Sequence, residues 1–277
     1  MPDTREFYVG YFPEAPEATG MMMKCIIYIL AISTIVVAAL IAWQQKKFAT
    51  TNFEYGLFTE VNGYLFSKPT PHLLVPLGRD FQNRPLYQTV LLVGFGKAGA
   101  DKVIFSKRIN WEKAEGSKVH LTGSLIYGDG KTLLQVDETS DLKYLEGDVI
   151  EPLPSGEKEK ISLSGEIVDP KCYFGVMKPG EGKTHRSCAI RCLAGGIPPV
   201  LKTDSSGYFL LVDENKEPVS AEISNIVGDN VTLEGVQIHL NDWKLFQINS
   251  GVVHKLSADK ALKDHINTFE TGITYCK

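Results

Sequence analysis

Two stretches of the chain, GSKVHLTGSLIYGDGKTLLQVD (116–137) and GDNVTLEGVQIHLNDWKLFQIN (228–249), align without a gap. They match at Gly116/Gly228, Val119/Val231, Leu121/Leu233, Gly123/Gly235, Ile126/Ile238, Leu133/Leu245 and Gln135/Gln247. Each copy reads as a strand, a glycine, a second strand, a tight turn (GDG or LND) and a third strand, because apolar and polar residues alternate and β-branched residues are frequent. Upstream, LLV at 91–93 parallels LLV at 210–212, and NGYLFSKP at 62–69 parallels SGEIVDPK at 164–171. Such a repeat restricts the fold to two similar β modules in tandem, with generic β-hairpin likeness as the competing explanation. Strand-like runs at 89–93, 118–127, 132–136, 162–168, 208–212, 230–240 and 244–248 agree with it. Strand order, glycine-marked bends and module size suit small five-stranded barrels of OB type.

The near-neutral mean hydropathy conceals one very apolar segment. Residues 25–43, CIIYILAISTIVVAALIAW, contain no charge and are bounded by Lys24, Lys46 and Lys47. At about 1.5 Å per residue this run nearly crosses a hydrocarbon layer of about 30 Å. A cleaved signal peptide would start nearer the N-terminus and be followed by small residues; here AWQQKKF follows, so a retained anchor is expected. Cys25 within it reads as a small apolar residue. Basic residues are balanced across the span, Arg5 and Lys24 against Lys46 and Lys47, so the positive-inside rule barely discriminates. The expected placement of 48–277 is extracytoplasmic.

The expected organisation is therefore a leader (1–20), a transmembrane anchor (21–47), a first OB-like module (52–150), a linker (151–160), a second OB-like module (161–255) and a C-terminal helix and tail (256–277). The fold class is mainly β, with a single transmembrane helix. Gly63 to Leu91 is 28 residues and Gly165 to Leu210 is 45, so the second module carries about seventeen extra residues. They fall within 169–200 and read as a Cys/His-bearing helical insertion.

Twenty-nine basic against 33 acidic residues give a net charge of −4, which excludes a strongly basic nucleic-acid binder. Two phosphate-binding patterns are weak. GFGKAG (94–99) fits G-x-G-x-x-G after a strand, with Glu112 and Glu115 downstream, but no strand–helix alternation follows. PGEGKTHRS (179–187) has Met177 where a P-loop requires its first glycine.

Three of the five cysteines fall within 21 residues. Cys172, His185, Cys188 and Cys192 supply a complete tetrahedral set for zinc or another thiophilic metal. THRSCAIRCLAGG reads as a short helix from near Thr184 to Gly195-Gly196, blocked by Pro198-Pro199. Cys188 and Cys192 then share a face, whereas His185 lies about 10.5 Å from Cys192 along the axis. All three reach one ion only if His185 bends in from a non-helical turn. Two alternatives stand beside the metal site. One is a disulfide from Cys172 to Cys188 or Cys192, with Cys276 as a distant further partner; the other is a reactive thiolate assisted by His185, Arg186, Arg191 and the helix N-terminus. His72, His120, His239, His254 and His265 read as ordinary residues.

The pattern D-x-x-C, H-x-x-C-A-x-x-x-C, G-G-I-P-P is carried by Asp169, Cys172, His185, Cys188, Ala189, Cys192, Gly195, Gly196, Ile197, Pro198 and Pro199. It resembles a motif of uncharacterised bacterial membrane-anchored or exported proteins. The resemblance covers about 33 residues. It implies bacterial origin and a shared site, and it carries no named reaction.

The expected function is an accessory subunit in the bacterial cytoplasmic membrane, part of a redox or metal-handling complex, with no catalytic residue of its own. Its expected partners are the bilayer and an integral membrane protein, not nucleic acid. The alternatives are a structural or interaction module with a disulfide-stapled loop, and a thiol enzyme.

Overall fold

The computed structural model describes residues 17–45, 51–101, 114–152, 156, 158–204, 207–220 and 223–248. Most of the expected leader, the C-terminal helix and tail, Glu112, His254, His265 and Cys276 lie outside the described residues. The chain divides into two compact units, Met1–Phe48 and Ala49–Lys277.

The first unit contains one helix, α1 (Glu17–Gln44), apolar on every face. Its 28 residues span about 42 Å, so by length and composition it can cross a membrane. Ser33 and Thr34 donate their hydroxyls back to the Leu30 carbonyl at 2.9 and 2.8 Å. No hydroxyl of the pair is thus left unpaired, as a lipid environment requires.

The second unit is almost entirely β. Its first barrel comprises β2 (Thr59–Phe66), β3 (His72–Arg79), β4 (Pro85–Gly94), β5 (Lys118–Gly128) and β6 (Lys131–Val136), while β1 (Thr51–Phe53) and β7 (Leu142–Tyr144) extend β5. The order around the barrel is β2-β3-β4-β6-β5, closed by β5–β2 pairing. Only β4–β6 is parallel among the described pairs of this barrel. The second barrel comprises β8 (Lys158–Val168), β9 (Val200–Thr203), β10 (Gly207–Val212), β11 (Asn230–Leu240) and β12 (Trp243–Gln247). It closes in the order β10-β12-β11-β8-β9, again with one parallel pair, β10–β12. Because β8 begins at Lys158, the second barrel reaches back into the expected linker.

Register carries the repeat into three dimensions. Ser124 pairs with Gln135 and Val236 with Gln247; Gly63 faces Val119 and Gly165 faces Val231; Leu91 faces Leu133 and Leu210 faces Leu245. Each is the partner that the gapless alignment and the upstream parallels together assign. The matched glycines share their physical reason. A Cβ at Gly123 would lie 2.5 Å from the Gln135 carbonyl, and one at Gly235 would lie 2.5 Å from the Gln247 carbonyl.

The same registers correct the size of the extra segment. Phe66 pairs with His72, leaving residues 67–71 to join β2 to β3, whereas Val168 pairs with Val200, leaving 169–199 between β8 and β9. That connection is twenty-six residues longer. The following hairpin, from Lys202 to Leu210, is nine residues shorter than its counterpart from Leu74 to Leu91. The count of seventeen is the net of both, because counting between distant anchors merges a gain with a loss.

Three apolar cores hold the unit together. One lies in the first barrel around Leu65, Leu73 and Leu134, and one in the second around Leu201, Phe209 and Phe246. The third joins the barrels, uniting Leu91, Ile126 and Leu133 with Phe174, Cys192 and Trp243. Polar contacts reinforce this junction. Tyr208 donates to Asp129 at 2.6 Å, and Asp242 accepts the Thr89 amide at 2.8 Å.

Candidate functional site

The connection from β8 to β9 builds the site. Asp169 follows the last residue of β8, and its Oδ1 accepts the Lys171 and Cys172 amides at 2.9 and 3.4 Å. These bonds turn the chain into a π-helical turn, Cys172–Val176. Gly175 presses against the first barrel, where a Cβ would lie 2.6 Å from Ile126.

Helix α2 (Gly182–Ala194) follows, two residues earlier in onset than expected. The Glu166 carboxylate accepts the Gly182 amide and so occupies the helix N-terminus, where a P-loop would hold phosphate. At the other end Gly196 takes φ +103°, Ile197 donates to the Cys192 carbonyl at 3.1 Å, and Gly196 donates to that of Leu193 at 3.0 Å. This pair of bonds terminates the helix where the glycines predicted. The buried face carries His185, Ala189, Cys192 and Leu193, with Cys188 half-buried beside it.

The four expected ligands converge, but as two sets sharing Cys172. The ligand atoms of Cys172, His185 and Cys188 lie within 4.8 Å of one another, and so do those of Asp169, Cys172 and Cys192. His185 sits inside a regular helix rather than in a bent-in turn, so it and Cys192 fall into different sets. The alternative disulfide from Cys172 to Cys188 or Cys192 is not formed. All three thiols are free, and the sulfurs of Cys172 and Cys192 lie within 4.8 Å of each other without a covalent bond.

Burial governs the electrostatics. The Cys172 thiol is pushed far up by its hydrogen bond with Cys192 and by burial, so without a cation it keeps its proton. Burial holds the His185 imidazole below its usual value, leaving it neutral and able to ligate. Neither of its ring nitrogens, nor Asp169 Oδ2, has a hydrogen-bond partner.

Two residues absent from the sequence-level ligand set complete the surroundings. Lys97 of the GFGKAG loop donates to Cys188 Sγ at 3.0 Å, which raises its own pKa. Lys171, only 3% exposed, donates to the Gly94 and Gly96 carbonyls, each at 2.7 Å. The glycines of this loop therefore serve backbone packing and not a pyrophosphate. A Cβ at Gly99 would lie 2.4 Å from the Gly196 carbonyl, and one at Gly195 would lie 1.7 Å from that of Lys97. The available signal for Lys97 was the unexplained G-x-G-x-x-G pattern itself. Of the arginines expected beside the thiols, Arg186 instead pairs with Asp229 at 3.2 Å. His72, His120 and His239 take no part in the cluster. They bond Thr70, Asn62 and Gln237 respectively.

The three thiols open on a cleft of about 250 Å³ between the barrels, with Phe53, Phe95 and Met177 among its walls. This defines a class: a double β-barrel unit that follows an apolar helix in the chain, with a buried thiol–imidazole–carboxylate cluster at the barrel junction. Comparison with protein-family models, curated proteins and solved structures finds no match.

Proposed function

We propose that the protein is a membrane-anchored accessory subunit of a bacterial membrane redox or metal-handling assembly, and that its Cys/His cluster holds a thiophilic divalent metal such as zinc. The observation carrying this reading is His185, a buried imidazole with both nitrogens unpartnered beside the thiols of Cys172 and Cys188. Buried polar atoms almost always find partners, and a cation is the partner this donor set suits. Strand order and the single parallel pair support reading each barrel as OB-like, the second with a Cys/His-bearing helical insertion between its first two strands. The resemblance to exported proteins supports an extracytoplasmic β unit. There a bound metal would shield the free thiols from oxidation. The partner on this reading is an integral membrane protein.

The test is anaerobic titration of the detergent-solubilised full chain with Co²⁺. Thiolate-to-cobalt charge-transfer and tetrahedral ligand-field bands should appear, and His185→Ala and Cys188→Ser should weaken or shift them. A chain that binds no cobalt, zinc or cadmium sinks the reading. A second reading, a nucleophilic Cys188, is favoured by the Lys97 ammonium at 3.0 Å. It requires Cys188 to be alkylated at neutral pH much faster than Cys172 or Cys192, and slowed by Lys97→Met.

A further inference from the structure

Among the described residues, four buried side-chain nitrogen or oxygen atoms lack a hydrogen-bond partner: Asp169 Oδ2, His185 Nδ1, His185 Nε2 and Trp243 Nε1. Three of them belong to the cluster, and they fall in different sets that share Cys172. His185 completes a set with Cys172 and Cys188; Asp169 completes another with Cys172 and Cys192. Asp169 is fully buried; its first oxygen holds two amides, and its second has no hydrogen-bond partner beyond what the neighbouring Cys172 thiol offers. One ion on the His185 side takes one ring nitrogen and leaves that carboxylate oxygen without a cation. A single ion taking all four Cys and His ligands fares no better, since His185 and Cys192, seven residues apart on α2, fall in different sets that share only Cys172.

We propose that the cluster is a two-ion centre, one divalent cation on Cys172, His185 and Cys188 and a second on Asp169, Cys172 and Cys192, bridged by the Cys172 thiolate. This rests on the metal-binding reading above and extends it by a site and by Asp169 as a ligand. Ligands around a tetrahedral ion at about 2.0–2.3 Å from the metal lie about 3.3–3.8 Å apart, so sets already within 4.8 Å need contract only slightly. Three protein ligands leave one position open on each tetrahedral ion, the arrangement of reactive or transfer sites rather than structural ones. Cys172, Cys188 and Cys192 all line the cleft, so an exogenous oxygen or sulfur donor entering it can reach both ions.

The experiment is metal stoichiometry on the full chain in detergent, titrated anaerobically with Co²⁺ and followed by absorption and electron paramagnetic resonance. Wild type should saturate at two equivalents. The second should attenuate the resonance signal of the first, through exchange coupling across the shared thiolate. Asp169→Asn and Cys192→Ser should each bind one equivalent with the His185-side spectrum retained, and His185→Ala should bind one on the other side. Saturation of wild type at one equivalent, or two uncoupled equivalents in Asp169→Asn, overturns the two-ion centre and leaves the single-metal reading standing. Absence of any binding overturns both. Circular dichroism of each metal-free variant separates lost sites from lost fold, and two independent variants of the second site guard against one that does not fold.

Discussion

Lys171 brings an ammonium group to a place almost closed to water, and its bonds explain why it is there. Burial lowers its pKa, but two carbonyls of the first barrel accept its protons. It thereby ties the connection carrying the thiols to the loop carrying Lys97. Lys171→Met should cost about 2–4 kcal/mol, read from urea unfolding, because two carbonyls lose a charge-assisted partner. His72 gives a residue-level pH effect away from the cluster. It is 2% exposed and stacked on Phe66, and burial depresses its pKa below 6.5. In that range the unfolded chain takes up a proton that the folded chain refuses, so stability is complete above about pH 6.5 and falls as the pH drops further. The limiting slope is about 1.4 kcal/mol per pH unit. Unfolding midpoints at pH 7.5 and 5.5 measure the difference, and His72→Phe should reduce it.

At the scale of elements, much of the structure was legible. The run 230–240 coincides with β11, and the glycine–proline stop of α2 falls where a helix lacking those residues would have continued. Periodicity and terminators are local properties of the backbone, so they survive in the sequence. Strands β3 and β9 were not among the strand-like runs: β9 is only four residues long, too short for alternation to register, and β3 carries Pro76 and Gly78, where its register shifts. Register supplies a test of the repeat. Gly123→Ala and Gly235→Ala meet equivalent carbonyls at the same 2.5 Å, so both should destabilise by a similar amount, about 1–3 kcal/mol. Unequal melting shifts beyond that range would show that the two glycines do different work.

For the whole molecule, the shared core matters more than the similarity of its halves. Leu133 of the first barrel is fully buried in the cluster that contains Trp243 of the second. Barrels joined by a common core unfold together rather than as beads on a linker. Calorimetry of 49–277 should therefore show one transition, and Leu133→Ala should lower it as a whole by about 2–5 kcal/mol in stability. Two resolved transitions would contradict the common core. The cluster lies on this junction, so its geometry depends on both barrels being in place. Replacing Gly99 by Ala, which sets a Cβ against the Gly196 carbonyl, should loosen the cluster as well as the fold.

The sequence by itself determined the apolar span, the two related β modules with their interchangeable glycines, the end of α2, and the concentration of thiols and one imidazole in a single segment. These follow from local patterning, which acts over a few residues and leaves a periodic trace. Only the tertiary structure decided that Cys172 is shared by two clusters of candidate ligand atoms, that Asp169 lies in one of them, and that Lys97, 91 residues away, reaches Cys188. Such proximities depend on how the barrels pack, and packing brings together side chains whose spacing along the chain carries no mark of their meeting.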